Sequence, residues 1–143
     1  MLPEINIVAV LLATVASMLV GWIWYAPPVV RRYWMKVVGH DEQSIKSASS
    51  APIIVTIVVV NFMTASVLAG AAAIAQNFYG GSFLANTVVS TLILWVGFTA
   101  ARMVTHDAFD RRPAGITVLN LAHELVTLTV MALIIGVFSI STA

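Results

Sequence analysis

The stretch that decides the fold, residues 102–124, reads RMVTHDAFDRRPAGITVLNLAHE. It is a polar connection between two strongly apolar segments, with Arg102 inside the first segment and Glu124 inside the second. The turn at residues 108–114 is short, so two helices joined by it must be antiparallel neighbours. The rest of the chain is expected to form an apolar frame around this hairpin.

The composition of the 143-residue chain indicates a membrane protein. Hydrophobic residues make up 60% of it and charged residues 9%, and the mean hydropathy is +0.98. Soluble domains carry about 25% charged residues, so lipid must cover part of this apolar surface. The net charge of +1 gives no field that would attract nucleic acid. The absence of cysteine excludes disulfides, thiol catalysis and cysteine metal sites.

Four apolar segments are each long enough to cross about 30 Å of hydrocarbon as a helix. They cover residues 5–25, 52–76, 83–106 and 115–138, and a short amphipathic helix over 29–39 is expected to lie on the membrane surface. The sequence therefore predicts a single all-α domain over residues 1–143, an integral membrane four-helix bundle. The first segment lacks a preceding basic residue, so it is interpreted as a span rather than a cleaved signal.

Small residues recur every fourth position in the first two spans, which predicts close helix packing. The first stripe is Ala9, Ala13, Ser17 and Gly21, and the second is Ala65, Ala69 and Ala73. The first stripe is interpreted as an intramolecular packing surface, with self-association as the alternative. Asn61, near the middle of the second span, is expected to bond to a neighbouring helix.

Aromatic and basic residues mark the membrane interface after the first span. The predicted interface anchors are Trp22, Trp24, Tyr25, Arg31, Arg32, Trp34 and Lys36. Outside the spans, lysine and arginine occur only in the first and third loops. The positive-inside rule then places these loops in the cytoplasm and both termini outside.

Four motifs resemble those of a bacterial membrane-protein family known as domain of unknown function 1761 (DUF1761). They are Gly21-x-x-Trp24-Tyr25-Ala26-Pro27, Trp34-Met35-Lys36-x-x-Gly39, Trp95-x-Gly97-Phe98 and Leu121-x-His123-x-Leu125. The family often has serine at the position of Ala26, and Phe-Gly-Lys where this chain has Val30-Arg31-Arg32. The resemblance covers nearly the whole chain. It implies a multi-pass protein of the bacterial cytoplasmic (inner) membrane with four transmembrane helices, and it implies no activity.

Polar residues follow one face of each of the last two spans. The third span carries Thr87, Thr91, Trp95, Thr99, Arg102 and His106 at helical spacing, and the fourth carries Thr117, Asn120, Glu124, Thr127 and Met131. Glu124 is about 13 Å below the cytoplasmic end of its helix, so it needs a partner, a proton or a water-filled cavity. Arg102 is the nearest candidate across the hairpin, and the sequence predicts that the two residues pair.

The candidate intramembrane site comprises Arg102, Glu124, Asn120, His123, Thr99 and Thr127. Two interpretations of it are open. The pair fixes the register of the third and fourth spans, or Glu124 binds a cation or proton while Arg102 binds an anionic group or holds Glu124 charged.

No cofactor, metal site or catalytic residue is predicted. His106 and His123 differ in depth by about 12 Å, which argues against a haem between them. His106, Asp107 and Asp110 are interpreted as a solvated helix end, and His123 with Glu124 lacks a third metal ligand. Motifs for phosphate binding, nucleophilic hydrolysis and zinc proteolysis are absent.

Two classes of function follow. The first is a homo-oligomeric transporter or channel-like protein for a small solute or ion, because four short helices enclose little space without symmetry-related copies. The second is a structural or accessory protein that binds membrane lipid or a partner membrane protein. An enzyme is the least favoured class.

Overall fold

The computed structural model describes residues 5–26, 30–38 and 50–138. These ranges contain the helices α1 (Ile7–Trp24), α2 (Arg32–Val38), α3 (Ser50–Tyr79), α4 (Phe83–Leu94), α5 (Ala101–Phe109) and α6 (Ala114–Phe138). A π-helical segment, Trp95–Ala100, joins α4 to α5 without a break. The described ranges contain no strand, and the predicted all-α bundle is confirmed.

Four stretches of helix are long and apolar enough to cross a membrane. They are Ile7–Trp24, Ala51–Tyr79, Phe83–Phe109 and Ala114–Phe138, close to the four segments expected from the sequence. The observed α3 is longer than the predicted span, and its 30 residues measure about 45 Å, more than the hydrocarbon thickness. A short helix, α2, is observed within the predicted range 29–39, and the predicted end residues 29 and 39 lie outside the described residues.

Local sequence fixes where the helices begin and turn. The side-chain oxygen of Asn6 accepts hydrogen bonds from the backbone N–H groups of Val8 and Ala9, at 3.0 and 3.2 Å, and so caps α1. Between α3 and α4 the backbone turns at Gly80 and Gly81, whose φ angles of 64° and 75° are strained for residues with a side chain. The turn therefore forms where the sequence places two glycines.

The four spans pack in a ring in chain order. Helix α1 contacts α3, α3 contacts α4, α4 contacts α6, and α6 contacts α1. The core consists of Val10, Ala13, Ala65, Leu68, Ala69, Leu128, Met131 and Ile135. All of these residues lie towards one end of the bundle, the end with the α3–α4 turn, which we call the closed half.

The opposite end, which we call the open half, is loosely packed. The π-helical segment and α5 pack against α6, whereas residues 51–60 of α3 are all exposed. Helix α3 thus diverges from its neighbours along this half and leaves space on both of its sides.

The two small-residue stripes pack inside the bundle. Ala9, Ala13, Ser17, Ala65 and Ala69 are buried, and Gly21 and Ala73 are half-buried. Their small side chains let the backbones of α1 and α3 approach their neighbours.

Helices α4 and α6 approach closely at Gly136. A Cβ atom at this position would lie 2.5 Å from Leu84 Cδ1 and 3.0 Å from Leu84 Cα. The second contact involves backbone, so rotating the leucine side chain cannot relieve it. Only glycine fits this crossing without a shift of the two helices.

We therefore expect Gly136→Ala to lower the free energy of unfolding by about 1–3 kcal/mol, the usual cost of overpacking. Gly97→Ala is the matched control, because a Cβ at Gly97 meets no atom within 4 Å, and we expect it to be neutral or stabilising by up to about 1 kcal/mol. Unfolding in mixed detergent micelles measures both. Equal stability of the two variants would contradict the close crossing.

Candidate functional site

The π-helical segment changes which residues of the third span face the bundle. A π-helical turn takes up about one more residue than an α-helical turn, so it rotates the following residues by about 100° relative to an unbroken α-helix. Arg102 and His106 are exposed, whereas the next residues along, Met103 and Asp107, are half-buried and buried. Regular spacing predicted that Arg102 and His106 would face the bundle. Beyond Trp95 the inward-facing positions are instead shifted by one residue, to Met103 and Asp107.

This rotation separates Arg102 from Glu124. Within the described part of the chain no ion pair or hydrogen bond joins these two residues, so the expected pair does not form. Glu124 contacts its neighbour His123 instead, whose Nδ1 lies 3.6 Å from Oε1. Glu124 thus lacks the arginine partner that a regular helix would have supplied.

The inward turn of Asp107 stabilises the α5–α6 connection. Its Oδ2 accepts a hydrogen bond of 2.7 Å from the Thr117 hydroxyl, and its Oδ1 lies 3.6 Å from Arg112 Nε. Arg112 Nε also lies 3.4 Å from Asp110 Oδ2. Asp107 and Asp110, interpreted from the sequence as part of a solvated helix end, therefore contact Arg112 within the turn. Asp107 is buried, whereas His106 is exposed.

His123 packs against the end of α1. Its ring centroid lies 5.7 Å from that of Trp24 and 5.3 Å from that of Tyr25. A Cβ atom at Gly21 would lie 3.7 Å from His123 Nε2, so Gly21 forms part of the surface that receives the imidazole. Trp24 and Tyr25, expected as interface anchors, thus also build the site, while Trp22 is 78% exposed.

Tyr25, the residue after α1, links the surface helix to this site. Its ring packs edge-on against Trp34 of α2, with centroids 6.1 Å apart. Burial, and after it the negative charge of Glu124, raises the pKa of Tyr25 above its usual value of 10.0. The phenol therefore stays protonated at neutral pH and can donate a hydrogen bond.

Two clefts flank α3 from the middle of the bundle into the open half, and Glu124 lines both. The cleft between α3 and the π-helical segment, which we call the apolar cleft, has a volume of about 600 Å³. Its walls include Met63, Thr64, Val67, Trp95, Phe98 and Thr99. The cleft between α1 and α3, the polar cleft, has a volume of about 500 Å³ and includes Ser17, Tyr25, Thr56, Asn61, His123 and Thr127.

Glu124 lies near the middle of α6 and contributes to the lining of both clefts. It is ten residues from the start of α6 at Ala114, which corresponds to about 15 Å along the helix axis. Its side chain is 37% exposed, and the exposed part faces the clefts. The carboxylate is thus deep in the bundle and still reachable by a ligand.

Unused hydrogen-bonding capacity is concentrated around Glu124. Among the described residues, five buried polar atoms have no hydrogen-bond partner: Trp24 Nε1, Thr91 Oγ1, Trp95 Nε1, His123 Nε2 and Thr127 Oγ1. The buried hydroxyls of Thr14, Ser17 and Thr87, by contrast, donate to carbonyls of their own helices. A buried polar atom without a partner costs about 1–3 kcal/mol, and all but Thr91 line a cleft or pack on His123.

The structure brings four of the six expected site residues to the clefts. Thr99 lines the apolar cleft, His123 and Thr127 line the polar cleft, and Glu124 lines both. Asn120 is half-buried, and Arg102 is turned outwards. Asn61, expected to bond to another helix, has its Nδ2 3.6 Å from Met18 Sδ of α1.

Sequence reasoning missed the aromatic part of the site, which is formed by Trp24, Tyr25, Trp95 and Phe98. A signal for these residues was present, because each belongs to one of the four motifs quoted for the family resemblance. The structure gathers residues of those motifs around Glu124, although the motifs lie up to about a hundred positions apart in the chain.

The fold and the site together are consistent with a multi-pass membrane protein whose intramembrane site centres on one carboxylate. The chain belongs to the family described as Protein of unknown function (DUF1761), which matches residues 8–136 and confirms the resemblance found in the motifs. Comparison with curated proteins and with solved structures gives no match.

The outward position of Arg102 has a direct consequence for stability. We expect Arg102→Gln to change the free energy of unfolding by no more than about 0.5 kcal/mol, as for other exposed substitutions. Thr117→Val is the positive control, and it should cost about 1–3 kcal/mol because it leaves the buried Asp107 without its donor. A loss of about 3–5 kcal/mol for Arg102→Gln would indicate a buried pair with Glu124 instead.

Proposed function

We propose that this protein is a small homo-oligomeric transporter or channel-like protein of the bacterial cytoplasmic membrane that binds a proton or a cation at Glu124. The observation that carries the proposal is the position of this carboxylate, at the junction of two clefts and without a Lys or Arg partner in the described ranges. Ionisable residues inside a membrane-spanning helix are rare, and they commonly mark ion pathways and proton relays.

The energetics favour binding of a positive charge. An acidic side chain at the centre of a spanning helix costs about 2.5–3.5 kcal/mol on insertion scales. A proton or a bound cation offsets that cost, so the site is expected to exchange one for the other. His123 Nδ1, 3.6 Å from Glu124 Oε1, places a second polar group beside the carboxylate.

The polar cleft supplies a route between Glu124 and the membrane surface. Tyr25, Thr56 and Asn61 place hydroxyl and amide groups along it. Such groups can hydrogen-bond water or a moving ion. A single bundle leaves the cleft open on its side, so the proposal includes further copies of the chain that enclose an aqueous path.

The alternative is an accessory protein that binds lipid or a partner membrane protein. The exposed residues 51–60 of α3 and the apolar cleft favour this accessory function, because both present apolar surface that a lipid or a partner could cover. In that case Glu124 and His123 would only position Trp24 and Tyr25 at the end of α1.

Ion flux in proteoliposomes distinguishes these functions. We expect an imposed membrane potential to drive proton or monovalent-cation flux through the wild type, and Glu124→Gln to reduce it to background. Asp110→Asn, which neutralises a carboxylate in the exposed α5–α6 turn, should leave the flux unchanged. Equal flux in wild type and Glu124→Gln would remove Glu124 from the pathway, and no flux in any protein would favour the accessory function.

The proposed topology places the closed half outside and the open half, with its clefts, on the cytoplasmic side. The chain has no cysteine, so one introduced cysteine reports one position. We expect an impermeant maleimide to label Asn77→Cys, in the last turn of α3, on intact spheroplasts. Ala108→Cys, in the last turn of α5, should be labelled only after permeabilisation. The reverse pattern would invert the topology.

A further inference from the structure

We infer that the ligand of this site is an amphiphilic organic cation, such as a quaternary ammonium or phosphonium ion, that reaches Glu124 sideways from the lipid through the apolar cleft. This inference rests on the proposed function and names the class of ligand for the same site.

The size and lining of the apolar cleft favour an organic ion over an inorganic one. Its volume of about 600 Å³ is within the range of about 300–1,000 Å³ for small-molecule sites. An inorganic cation needs several oxygen ligands, whereas this cleft offers Glu124 and the hydroxyls of Thr64 and Thr99 among mainly apolar walls. The Thr64 hydroxyl already donates to Val60 O at 3.0 Å. An organic cation brings its own apolar surface to such walls.

The charge of the cleft selects cations over anions. Glu124 is the acidic residue on its lining, and no Lys or Arg of the described ranges lines either cleft. Trp95 and Phe98 line the same cleft as the carboxylate, and aromatic rings attract quaternary cations. The site therefore combines a negative charge with an aromatic wall, which suits a large cation of low hydration.

The π-helical segment produces both of these properties. It contains Trp95, Phe98 and Thr99, so its geometry places the aromatic wall on the cleft. The rotation that it introduces turns Arg102 outwards, which keeps a competing positive charge away from the carboxylate. π-helical turns within α-helices are frequent at functional sites.

The mouth of the apolar cleft opens to the side of the bundle. Met63, Val67 and Phe98 at this mouth are 61%, 62% and 74% exposed. In a membrane these side chains face lipid tails, so an amphiphile dissolved in the bilayer can enter without crossing the headgroup layer. Glu124, about 15 Å deep, meets its charged group at the inner end of the cleft.

Tetraphenylphosphonium binding to the purified full-length protein in detergent tests this inference, with protein-free micelles subtracted. We expect saturable binding to the wild type and a Kd raised by about tenfold or more in Glu124→Gln. Val67→Trp should weaken binding similarly by filling the cleft. Val59→Trp is its matched control, on the same exposed helix but on neither cleft, and should bind as the wild type does.

One further variant and one further ligand distinguish a loss of binding from a loss of folding. Phe98→Ala changes an exposed side chain, so it should fold and still raise the Kd by about threefold to tenfold through loss of the aromatic face. Tetraphenylborate, of the same shape and opposite charge, should show no saturable binding.

Absence of saturable tetraphenylphosphonium binding, equal affinity in wild type and Glu124→Gln, or equal binding of tetraphenylborate would overturn the inference. Proton flux that depends on Glu124, without tetraphenylphosphonium binding, would retain the proposed function and reject this ligand class. Binding through Glu124 without flux of any ion would support the ligand class and reject transport.

Discussion

A carboxylate in the middle of an apolar bundle, which no arginine or lysine of the described residues neutralises, is the constraint on which the rest of this structure depends. Glu124 lies about 15 Å from the start of α6, and its carboxylate lies 3.6 Å from the imidazole of the adjacent His123. The bundle accommodates this group by opening around it. The closed half buries small and aliphatic side chains tightly, while α3 diverges in the open half and leaves a cleft on each side of it.

The π-helical segment is the second determinant, because it decides what Glu124 faces. In an unbroken α-helix, regular spacing would place Arg102 on the same face as Thr91 and Trp95. The extra residue in the π turn places Met103 and Asp107 inwards instead, and Asp107 then bonds to Thr117 and Arg112 in the turn. The same segment presents Trp95 and Phe98 to the apolar cleft. One local change of helix geometry thus turns Arg102 outwards and presents aromatic side chains to the cleft that Glu124 lines.

The sequence was sufficient for the four spans and the short α5–α6 turn, because hydrophobic length and charge distribution determine these features directly. It also singled out Glu124 and His123, which line the clefts of the structure, since polar residues within apolar spans stand out. It wrongly predicted a pair between Arg102 and Glu124, because helical periodicity assumes 3.6 residues per turn. Nothing in the sequence WVGFTA indicates that residues 95–100 form a π-helical turn. The contacts of His123 with Trp24 and Tyr25 depend on how α1 and α6 pack, and periodicity within a single helix does not specify that packing.

The most direct test of the central claim is modification by a lipid-soluble carbodiimide in membranes, with peptide mass spectrometry to locate the adduct. Dicyclohexylcarbodiimide partitions into lipid and modifies carboxyl groups that it can reach there, and Glu124 lines both clefts of this structure. The account predicts an adduct on Glu124 and none on Asp107, whose carboxylate is buried and held by Thr117 and Arg112. An unmodified Glu124 would contradict the account, because it would mean that a partner or packed protein covers the carboxylate.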